Sequence, residues 1–371
     1  MNTKITFMIK NINNIDSPSL LLFKDKVENN IDKMIAIAGG DTNRLIPHIK
    51  TNKMENVVRM MIEKGIKQFK SATIAEAELA AMAGAEKVII AHQLLGPKIY
   101  RLLDLIEKYP NTRFASLVDC NAVLDEISNK FEAKNLTAEI YYDINNGMDR
   151  SGHEIDGQLA EDLKNAFTKS HIKLSGLHVY DGHIRDDAFS ERKEKVEAGM
   201  RKVYEILDKL KPEIGELEII VGGTPAFTSH ASEMSRTLSP GTCVLWDWGY
   251  GDKFVEQNFE FAALVMMRII SKPKAGIITV DMGHKAVASE NPIDKRIRFL
   301  DNPDLKLISQ SEEHGVIETE NWNNYKVGDI LLGIPYHICP TVNLYHEAQV
   351  IKNNEWVGTW KIEGRNRKIT V

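Results

Sequence analysis

Cysteine is scarce in this sequence: Cys120, Cys243 and Cys339 are the only three in 371 residues. Three cysteines in so long a chain do not form a disulfide framework, which indicates a reducing compartment. No apolar run approaches the ~20 residues of a membrane-spanning helix. The first 16 residues are interrupted by two lysines and lack the apolar core of a signal peptide. These absences predict a cytoplasmic protein with no membrane partner.

An excess of basic residues is also missing. The formal net charge is -5 and both signs are interspersed, which argues against nucleic acid as a partner. The chain is 43% apolar and 27% charged, an ordinary balance for a globular protein that buries a large core. Its length allows one large domain or two ordinary ones.

From about residue 18 to 250, short apolar runs alternate with amphipathic helical patterns. Eight strands separated by helices predict a parallel (β/α)8 barrel of the TIM type. An open doubly wound sheet is the alternative, but no Gly-x-Gly-x-x-Gly follows the first strand. The predicted strands are Arg44–Lys50, Lys67–Ser71, Lys87–Ala91, Arg113–Val118, Ala138–Asp143, Lys173–Tyr180, Leu217–Val221 and Cys243–Asp247. The predicted helices include Met54–Lys64, Ile74–Ala83, Pro97–Glu107, Asn121–Phe131, Gln158–Lys169 and Glu191–Lys209.

Residues 251–371 have a different pattern, with many strand-like segments and few helical periods. This pattern predicts a second, mostly antiparallel β domain, and we expect residues 1–17 to join it through a strand over Lys4–Lys10. Its other predicted strands are Ala262–Ile270, Gly276–Asp281, Gly315–Glu320, Asp329–Gly333, Glu347–Ile351 and Glu355–Ile362.

Lys50 ends the first predicted strand and precedes a helical pattern, which places its amine at the C-terminal mouth of the barrel. Apolar neighbours, Ile46 and Ile49, reduce the proton affinity of an amine, which can then attack a carbonyl and form a Schiff base. A pyridoxal phosphate enzyme requires such a lysine. A solvated lysine at a strand end is the simpler interpretation of this segment alone.

Two glycine-containing segments follow late strands. Gly222-Gly223-Thr224-Pro225 comes directly after the seventh predicted strand, and Ser239-Pro240-Gly241-Thr242 precedes the eighth. Glycines let backbone N–H groups approach an anion, and barrels often bind phosphate in this quadrant. These segments therefore indicate a phosphate site, although two tight turns would show the same residues.

Two further loops carry candidate catalytic residues. Arg150 stands between glycines after the fifth predicted strand, where it could donate to an oxyanion. His183 follows the sixth strand in Tyr180-Asp181-Gly182-His183 and titrates near neutral pH, so it is a candidate acid or base. Ordinary surface positions are the alternative for both residues.

His337 and Cys339 lie beyond a predicted strand of the β domain. In an extended chain they would share a face. Imidazole and thiolate together suit Zn²⁺, and a two-ligand site would leave positions open for water or substrate. A half-buried strand pair without metal is the alternative.

Taken in order, these motifs resemble the D-threonine aldolase/D-serine dehydratase family, fold-type III pyridoxal phosphate enzymes related to alanine racemase. The resemblance covers nearly the whole chain, from Ser17-Pro18-Ser19 onward. It rests on Pro47-His48-x-Lys50-Thr51, Arg150-x-Gly152, Tyr180-x-Gly182-His183, Gly222-Gly223-Thr224-Pro225, Pro240-Gly241-Thr242, Ser311-Glu312-Glu313-His314-Gly315 and His337-x-Cys339-Pro340-Thr341.

The resemblance implies a role for each candidate residue. Lys50 would carry pyridoxal 5'-phosphate as a Schiff base, His183 would act as acid or base, and the metal would lie near the substrate hydroxyl. One position departs from the pattern: many relatives have histidine where this chain has Asn52, which puts any supporting role there in doubt. The remaining cofactor contacts would come from Arg150, Tyr180, Gly222, Gly223, Thr224, Gly241 and Thr242, and the divalent metal (Zn²⁺, or Mn²⁺ or Mg²⁺) would bind His337 and Cys339.

The family contains two reactions that use the same side chains. If His183 takes the proton of the β-hydroxyl, the Cα–Cβ bond of a D-amino acid breaks: D-threonine gives glycine and acetaldehyde. If Lys50 takes the α-proton instead, D-serine gives pyruvate and ammonia. The loop with His183 favours D-threonine aldolase, whereas the thiolate ligand Cys339 favours D-serine dehydratase. We rank the aldolase first.

Two other hypotheses have less support. A racemase needs bases on both faces of the cofactor and has no use for a metal at the β-hydroxyl. A non-enzymatic pyridoxal phosphate-binding protein of the single-barrel kind lacks the β domain. The resemblance also implies a homodimer in which the β domain of one subunit covers the barrel mouth of the other.

Overall fold

The computed structural model describes residues 7–300 and 302–371. It divides into two units, which we call the barrel unit (residues 34–50, 58–241 and 366–371) and the β-rich unit (residues 7–33, 51–57 and 242–365). The described chain begins with strand β1 (Ser19–Phe23) and helix α1 (Lys24–Ile37), followed by helix α2 (Glu55–Glu63). Among the described residues, no helix combines the length and the apolar character needed to cross a membrane.

The barrel unit contains seven parallel strands, each hydrogen-bonded to the next in chain order. Helices separate most of them, as predicted. The strands are β2 (Gln68–Ser71), β3 (Lys87–Gln93), β4 (Arg113–Val118), β5 (Ala138–Asn145), β6 (Ile172–Tyr180), β7 (Glu218–Val221) and β8 (Arg236–Leu238). The helices are α3 (Ile74–Ala83), α4 (Pro97–Lys108), α5 (Asn121–Glu132), α6 (Gly157–Thr168), α7 (Phe189–Ile214) and α8 (Phe227–Ala231).

Helix α3 illustrates how the sequence sets these boundaries. The Thr73 side chain accepts a hydrogen bond from the backbone N–H of Glu76, which caps the first turn. Gly84 ends the helix with a φ of 101°, a left-handed conformation that glycine adopts without steric cost. The short connections on either side therefore place β2 and β3 next to each other in parallel.

The segment at residues 45–49 closes the sheet between its first and last strands. The N–H of Ile46 donates to Leu238 O (2.8 Å), and the N–H of Ile49 donates to Lys70 O (2.9 Å). The predicted strand Arg44–Lys50 is nevertheless not a regular strand: it forms two isolated bridges, because Pro47 has no N–H to donate. A parallel barrel is confirmed, with this segment in the position of the eighth strand.

The predicted eighth strand, Cys243–Asp247, is wrong. The last barrel strand is β8, and Thr242–Val244 forms a 3-10 turn. The segment Cys243–Leu245 is fully buried, and an apolar run of that length looks the same in a buried turn as in a strand.

The β-rich unit contains a mixed, mostly antiparallel sheet, so the second part of the predicted fold class is confirmed. After helix α9 (Trp248–Gly251), its strands are β9 (Ala263–Lys274), β10 (Ile277–Val280), β11 (Ile297–Phe299), β12 (Lys306–Gln310), β13 (Gly315–Glu318), β14 (Ile330–Pro335), β15 (Glu347–Lys352) and β16 (Glu355–Lys361), and helix α10 (Ile338–Val342) follows β14. The main strand order is β12-β13-β10-β9-β1-β15-β16, and β14 pairs with β9 and β11.

Three features of this sheet differ from the prediction. Strands β11 and β12 were not expected. Strand β1 lies inside the predicted barrel range but pairs with β9 and β15, because an apolar strand without a local partner takes whichever sheet buries it. Of the expected strand Lys4–Lys10, residues 4–6 lie outside the described residues, and residues 7–10 are not in a strand.

Candidate functional site

A cavity of about 440 Å³ opens in the barrel unit where the parallel strands end. The C-terminal ends of parallel strands meet at one edge, so side chains that are far apart in sequence converge there. Among the predicted site residues, Lys50, Arg150 and Tyr180 line it. Its other lining residues are His48, Lys70, Ala72, Ala91, His92, Gln93, Val118, Asp119, Asp143, Ser151 and His178.

Lys50 directly follows the segment at residues 45–49 that closes the barrel sheet, and it is partly buried. Its backbone N–H donates to His48 Nδ1 (3.4 Å), and its neighbours Ile46 and Ile49 are fully buried. Burial, with the positive charges of Lys50 and Lys70, holds the pKa of His48 well below its ordinary value. His48 is therefore a neutral imidazole that accepts the backbone N–H of Lys50.

Arg150 and Tyr180 form one wall of the cavity. The guanidinium carbon of Arg150 lies 4.9 Å from the centroid of the Tyr180 ring, a cation–π contact. The Tyr180 ring is also parallel to the ring of His178 (6.3 Å between centroids, 4° between planes). These contacts hold the Tyr180 ring in the lining of the cavity, which Lys50 also lines.

The two predicted phosphate loops of the barrel unit lie side by side. The N–H of Gly241 donates to Thr224 Oγ1 (3.1 Å), which joins the loop after β8 to the loop after β7. Only glycine fits here: a Cβ would lie 2.9 Å from Tyr180 at Gly223 and 2.7 Å from His48 O at Gly241. Gly222 has a left-handed φ of 67°. The loops therefore bring backbone close to the wall formed by Tyr180.

Sequence reasoning missed a buried group of polar residues in this cavity, which we call the lysine chain (Lys70, His178 and Asp143). Lys70 Nζ lies 3.2 Å from His178 Nε2, and His178 Nδ1 lies 2.7 Å from Asp143 Oδ1. Lys70 Nζ also donates to Ser239 Oγ (2.5 Å). The available signal was position: Lys70, Asp143 and His178 each lie near the C-terminal end of a barrel strand.

Burial sets the charges of the lysine chain. Together with the positive charge of Lys50, it lowers the pKa of Lys70 to about 7. Burial and Lys70 lower the pKa of His178. Burial alone would raise the pKa of Asp143, but the hydrogen bonds from His178 and Ser151 and the charges of His178 and Lys70 together outweigh burial and lower that pKa. The lysine chain therefore combines a carboxylate (Asp143), a neutral imidazole (His178) and an amine that titrates near neutral pH (Lys70).

A second unpredicted group lies next to the phosphate loops, and we call it the arginine chain (Arg236, His230 and Asp181). Arg236 donates to His230 Nδ1 (3.2 Å), and His230 Nε2 lies 2.7 Å from Asp181 Oδ2. A Cβ at Gly222 would lie 2.9 Å from the His230 ring. Because Nδ1 accepts, the proton of His230 is on Nε2 and is donated to the carboxylate. The arginine chain therefore packs against the loop that carries Gly222.

The predicted base His183 lies in the loop after β6 and is exposed. It is not among the described residues that line the cavity. Its Nε2 would lie 3.3 Å from a Cβ at Gly147, so the imidazole contacts the loop that carries Arg150. The sequence correctly placed His183 at the C-terminal end of a barrel strand.

His337 and Cys339 belong to the β-rich unit and are hydrogen-bonded to each other through their side chains. The prediction that they share a strand face is wrong: Cys339 lies in helix α10, and His337 is the extended residue just before it. They meet because the helix begins between them. The Cys339 Sγ lies 3.1 Å from Thr51 Oγ1 and 3.5 Å from Thr242 Oγ1, so the predicted phosphate ligand Thr242 contacts the thiol.

The His337 imidazole and the Cys339 thiol shift each other's pKa. Burial opposes both shifts, yet the mutual hydrogen bond and charges raise the pKa of His337 to about 9 and lower that of Cys339. His337 Nδ1 lies 2.6 Å from Glu290 Oε1. A carboxylate on the other ring nitrogen is typical of metal-binding histidines. Sequence reasoning did not find Glu290.

The donor set fits an open metal site rather than a closed one. No group of three or more His, Cys, Asp or Glu side chains suited to a metal occurs in the described part of the chain. A thiolate, an imidazole and further ligands from outside the protein would complete four-coordinate Zn²⁺.

Asn52, the position that departs from the expected pattern, is buried in the β-rich unit. Its Oδ1 accepts a hydrogen bond from the N–H of Met54 (3.2 Å), a local turn interaction that precedes α2. In this chain the position therefore stabilises the backbone after Lys50.

Comparison with known proteins identifies both parts of the chain. Residues 24–246 match the family model "Alanine racemase, N-terminal domain", and residues 262–351 match "Putative serine dehydratase domain". The chain is 26% identical to the 3-hydroxy-D-aspartate aldolase of Paracoccus denitrificans (strain Pd 1222), over 95% of this chain and 93% of that protein. It is 23% identical to a D-threonine aldolase from Arthrobacter sp, over 95% and 93% of the two chains.

A solved structure supports the fold. The crystal structure of D-threonine aldolase from Filomicrobium marinum superimposes with a TM-score of 0.88 at 24% sequence identity, covering 98% of this chain and 99% of that one. The first family model alone matches more than half of the 371 residues. The chain therefore belongs to the alanine racemase-like, fold-type III family of pyridoxal phosphate-dependent enzymes.

Proposed function

We propose that this protein is a lyase that uses pyridoxal phosphate and a divalent metal ion to cleave D-3-hydroxy amino acids, with D-threonine giving glycine and acetaldehyde. The observation that carries the proposal is the cavity that brings Lys50, Arg150 and Tyr180 together at the C-terminal ends of the barrel strands. The aldolases among the relatives support the same reaction class.

The cavity fits the cofactor. It combines an amine that can bind an aldehyde, a guanidinium that can hold an oxyanion, and an aromatic ring for a planar heterocycle. Gly223 and Gly241 lie so close to Tyr180 and His48 that a side chain at either position would clash. When bound, pyridoxal phosphate supplies an electron sink for the bonds at the substrate's α-carbon.

The protein's own residues would divide the remaining work. Lys50 would hold the cofactor through its amine, and Arg150 would hold the phenolic oxygen. The backbone of Gly222, Gly223 and Gly241, together with Thr224, would hold the phosphate. His183 would take the proton from the β-hydroxyl oxygen and later return a proton to the α-carbon.

For the metal, His337 and Cys339 would be the protein ligands. A divalent ion held there would supply Lewis-acid stabilisation of an oxygen that develops negative charge. We also propose a small D-amino acid as the substrate and a homodimer as the assembly; the mass of the protein in solution tests the latter.

A second candidate reaction is D-serine dehydration to pyruvate and ammonia. Two observations favour it: the match of residues 262–351 to the putative serine dehydratase model, and a thiol rather than a carboxylate in the proposed metal pair. In that reaction the amine of Lys50 would remove the α-proton.

Product analysis separates the two reactions. Metal-loaded protein with pyridoxal phosphate would receive D-threonine, D-serine or D-3-hydroxyaspartate in separate assays. Glycine with acetaldehyde, or glycine with glyoxylate from hydroxyaspartate, establishes the aldolase. Pyruvate and ammonia from D-serine, without glycine from D-threonine, overturn our ranking in favour of the dehydratase. Lys50→Ala is the negative control and should form no product, and full activity after thorough chelation would refute the metal requirement.

A further inference from the structure

Lys70 is an amine that the proposed function has not used. Its side chain is 2% exposed and lines the same cavity as Lys50. A lysine is rarely so deeply buried unless a carboxylate pairs with it. In the described residues, Lys70 Nζ instead hydrogen-bonds to a hydroxyl, Ser239 Oγ, and to an imidazole, His178 Nε2.

The hydrogen bonds of Lys70 are incomplete. An ammonium has three N–H donors, and the two partners above account for two of them. The imidazole partner is held in place, since its other nitrogen is bonded to Asp143 (2.7 Å). The ring of Tyr180 lies 5.5 Å from Nζ. One donor therefore remains for a ligand in the cavity.

The charges around Lys70 disfavour its ammonium form when the cavity holds no anion. Positive groups act on it from neighbouring strands and loops, and the carboxylates that oppose them are not hydrogen-bonded to it. The charged and titratable groups that face it are Lys50, Arg150, His48, His178, Asp143 and Asp181. Burial and Lys50 together lower its pKa to about 7. An anion in the cavity would reverse this balance.

We propose that Lys70 is a second ligand-binding amine of the cavity, which stabilises the anionic cofactor with its remaining N–H and takes up a proton when the cofactor binds. The proposal rests on the proposed use of pyridoxal phosphate. It makes Lys70 a binding residue distinct from Lys50, which forms the covalent link. By linkage, a ligand that favours the ammonium binds more tightly at a pH where the amine is already protonated.

The test is the dissociation constant of pyridoxal phosphate, followed by the absorbance of the bound cofactor at about pH 6 and about pH 9. Lys70→Met should weaken binding about ten- to hundredfold at the lower pH, where the wild-type amine is charged. It should weaken binding by less than about threefold at the higher pH, where much of that charge is lost. Lys67→Met is the matched control, because Lys67 lies just before the same strand, is 55% exposed and pairs with Glu86.

A second measurement, made first on the wild-type protein, does not depend on the folding of Lys70→Met. Calorimetry with pyridoxine 5'-phosphate, which has no aldehyde, would be done at about pH 8 in two buffers of different ionisation enthalpy. Net proton uptake by the wild type, reduced in Lys70→Gln, supports the proposal. No uptake, or equal weakening by Lys70→Met at both pH values, overturns it while leaving the cofactor site intact. Failure of the wild type to bind pyridoxal phosphate would overturn the proposed function itself.

Discussion

The lysine chain and the arginine chain begin alike, with a carboxylate bonded to an imidazole, and differ in the cation that follows. Arg236 is 1% exposed and forms two 2.8 Å hydrogen bonds with the Glu197 carboxylate, so it stays charged. Lys70 is equally buried but hydrogen-bonds to neutral partners, and its pKa falls to about 7. The same motif is therefore structural in one place and titratable in the other, depending on whether a carboxylate accompanies the cation.

Removing the arginine should have the largest effect on stability. Arg236→Met would leave His230 Nδ1 and the Tyr204 hydroxyl without their donor, and Glu197 without its partner. We expect a loss of about 3 kcal/mol in the free energy of unfolding, measured by urea denaturation. Arg236→Lys keeps the charge and should lose less. A loss below about 1 kcal/mol would show that the arginine chain contributes little to the fold.

Another carboxylate–imidazole pair, Glu290 with His337, offers a comparison outside the barrel unit. If His337 binds a metal, Glu290→Gln should weaken metal binding about 10–100-fold, because the amide no longer orients and polarises the imidazole. Competition with a chelator measures the affinity. Glu313→Gln, at an exposed carboxylate that pairs with Lys285, is the control. Equal affinities in both variants would remove Glu290 from the site.

The titration of Lys70 gives a smaller, pH-dependent effect. Its pKa is about 7 in the folded protein and ~10.4 in the unfolded chain. Between these values the unfolded chain binds more protons, so stability rises with pH across this window, and the cost of the buried charge is full below it.

Methionine at position 70 has no such titration. Relative to Lys70→Met, the free energy of unfolding of the wild type should rise by up to ~1.4 kcal/mol per pH unit within the window. Urea denaturation at about pH 7 and about pH 9 measures the difference. Parallel stability curves would mean that Lys70 keeps its ordinary pKa in the fold.

The smallest change is expected outside both chains. Lys67→Met breaks only the exposed pair with Glu86 and should alter the free energy of unfolding by less than about 0.5 kcal/mol. Thermal denaturation at neutral pH tests this. A larger effect would weaken its use as the control for Lys70.

Particular elements show what a sequence pattern can and cannot predict. The strands β4 to β7 and helices α3 to α6 were predicted within a few residues, because periodicity reports which side of an element is buried. The segments Arg44–Lys50 and Cys243–Asp247 were assigned as regular strands in error. The first segment contains Pro47, which has no N–H to donate to a neighbouring strand. The second segment is apolar because it is buried in a turn, and an apolar run alone does not distinguish a turn from a strand.

The site shows the same division. Lys50, Arg150 and Tyr180 were chosen from their places at strand ends and line one cavity. His337 and Cys339 were chosen as a pair and are hydrogen-bonded, although through a helix start rather than a strand face. Their roles in catalysis stay predictions. Glu290 and Lys70 were missed, since their partners lie 47 and 108 residues away in the chain.

By itself the sequence determined the alternation of strands and helices, the change to a β-rich pattern and the position of Lys50 at the end of a barrel segment, because each depends on local order along the chain. The tertiary structure alone decided that β1 pairs with distant strands, that Thr242 contacts Cys339, and that Lys70 is buried against His178 rather than a carboxylate. The physical reason is that charge and pKa depend on which groups surround a side chain, and those groups are assembled only when the chain folds.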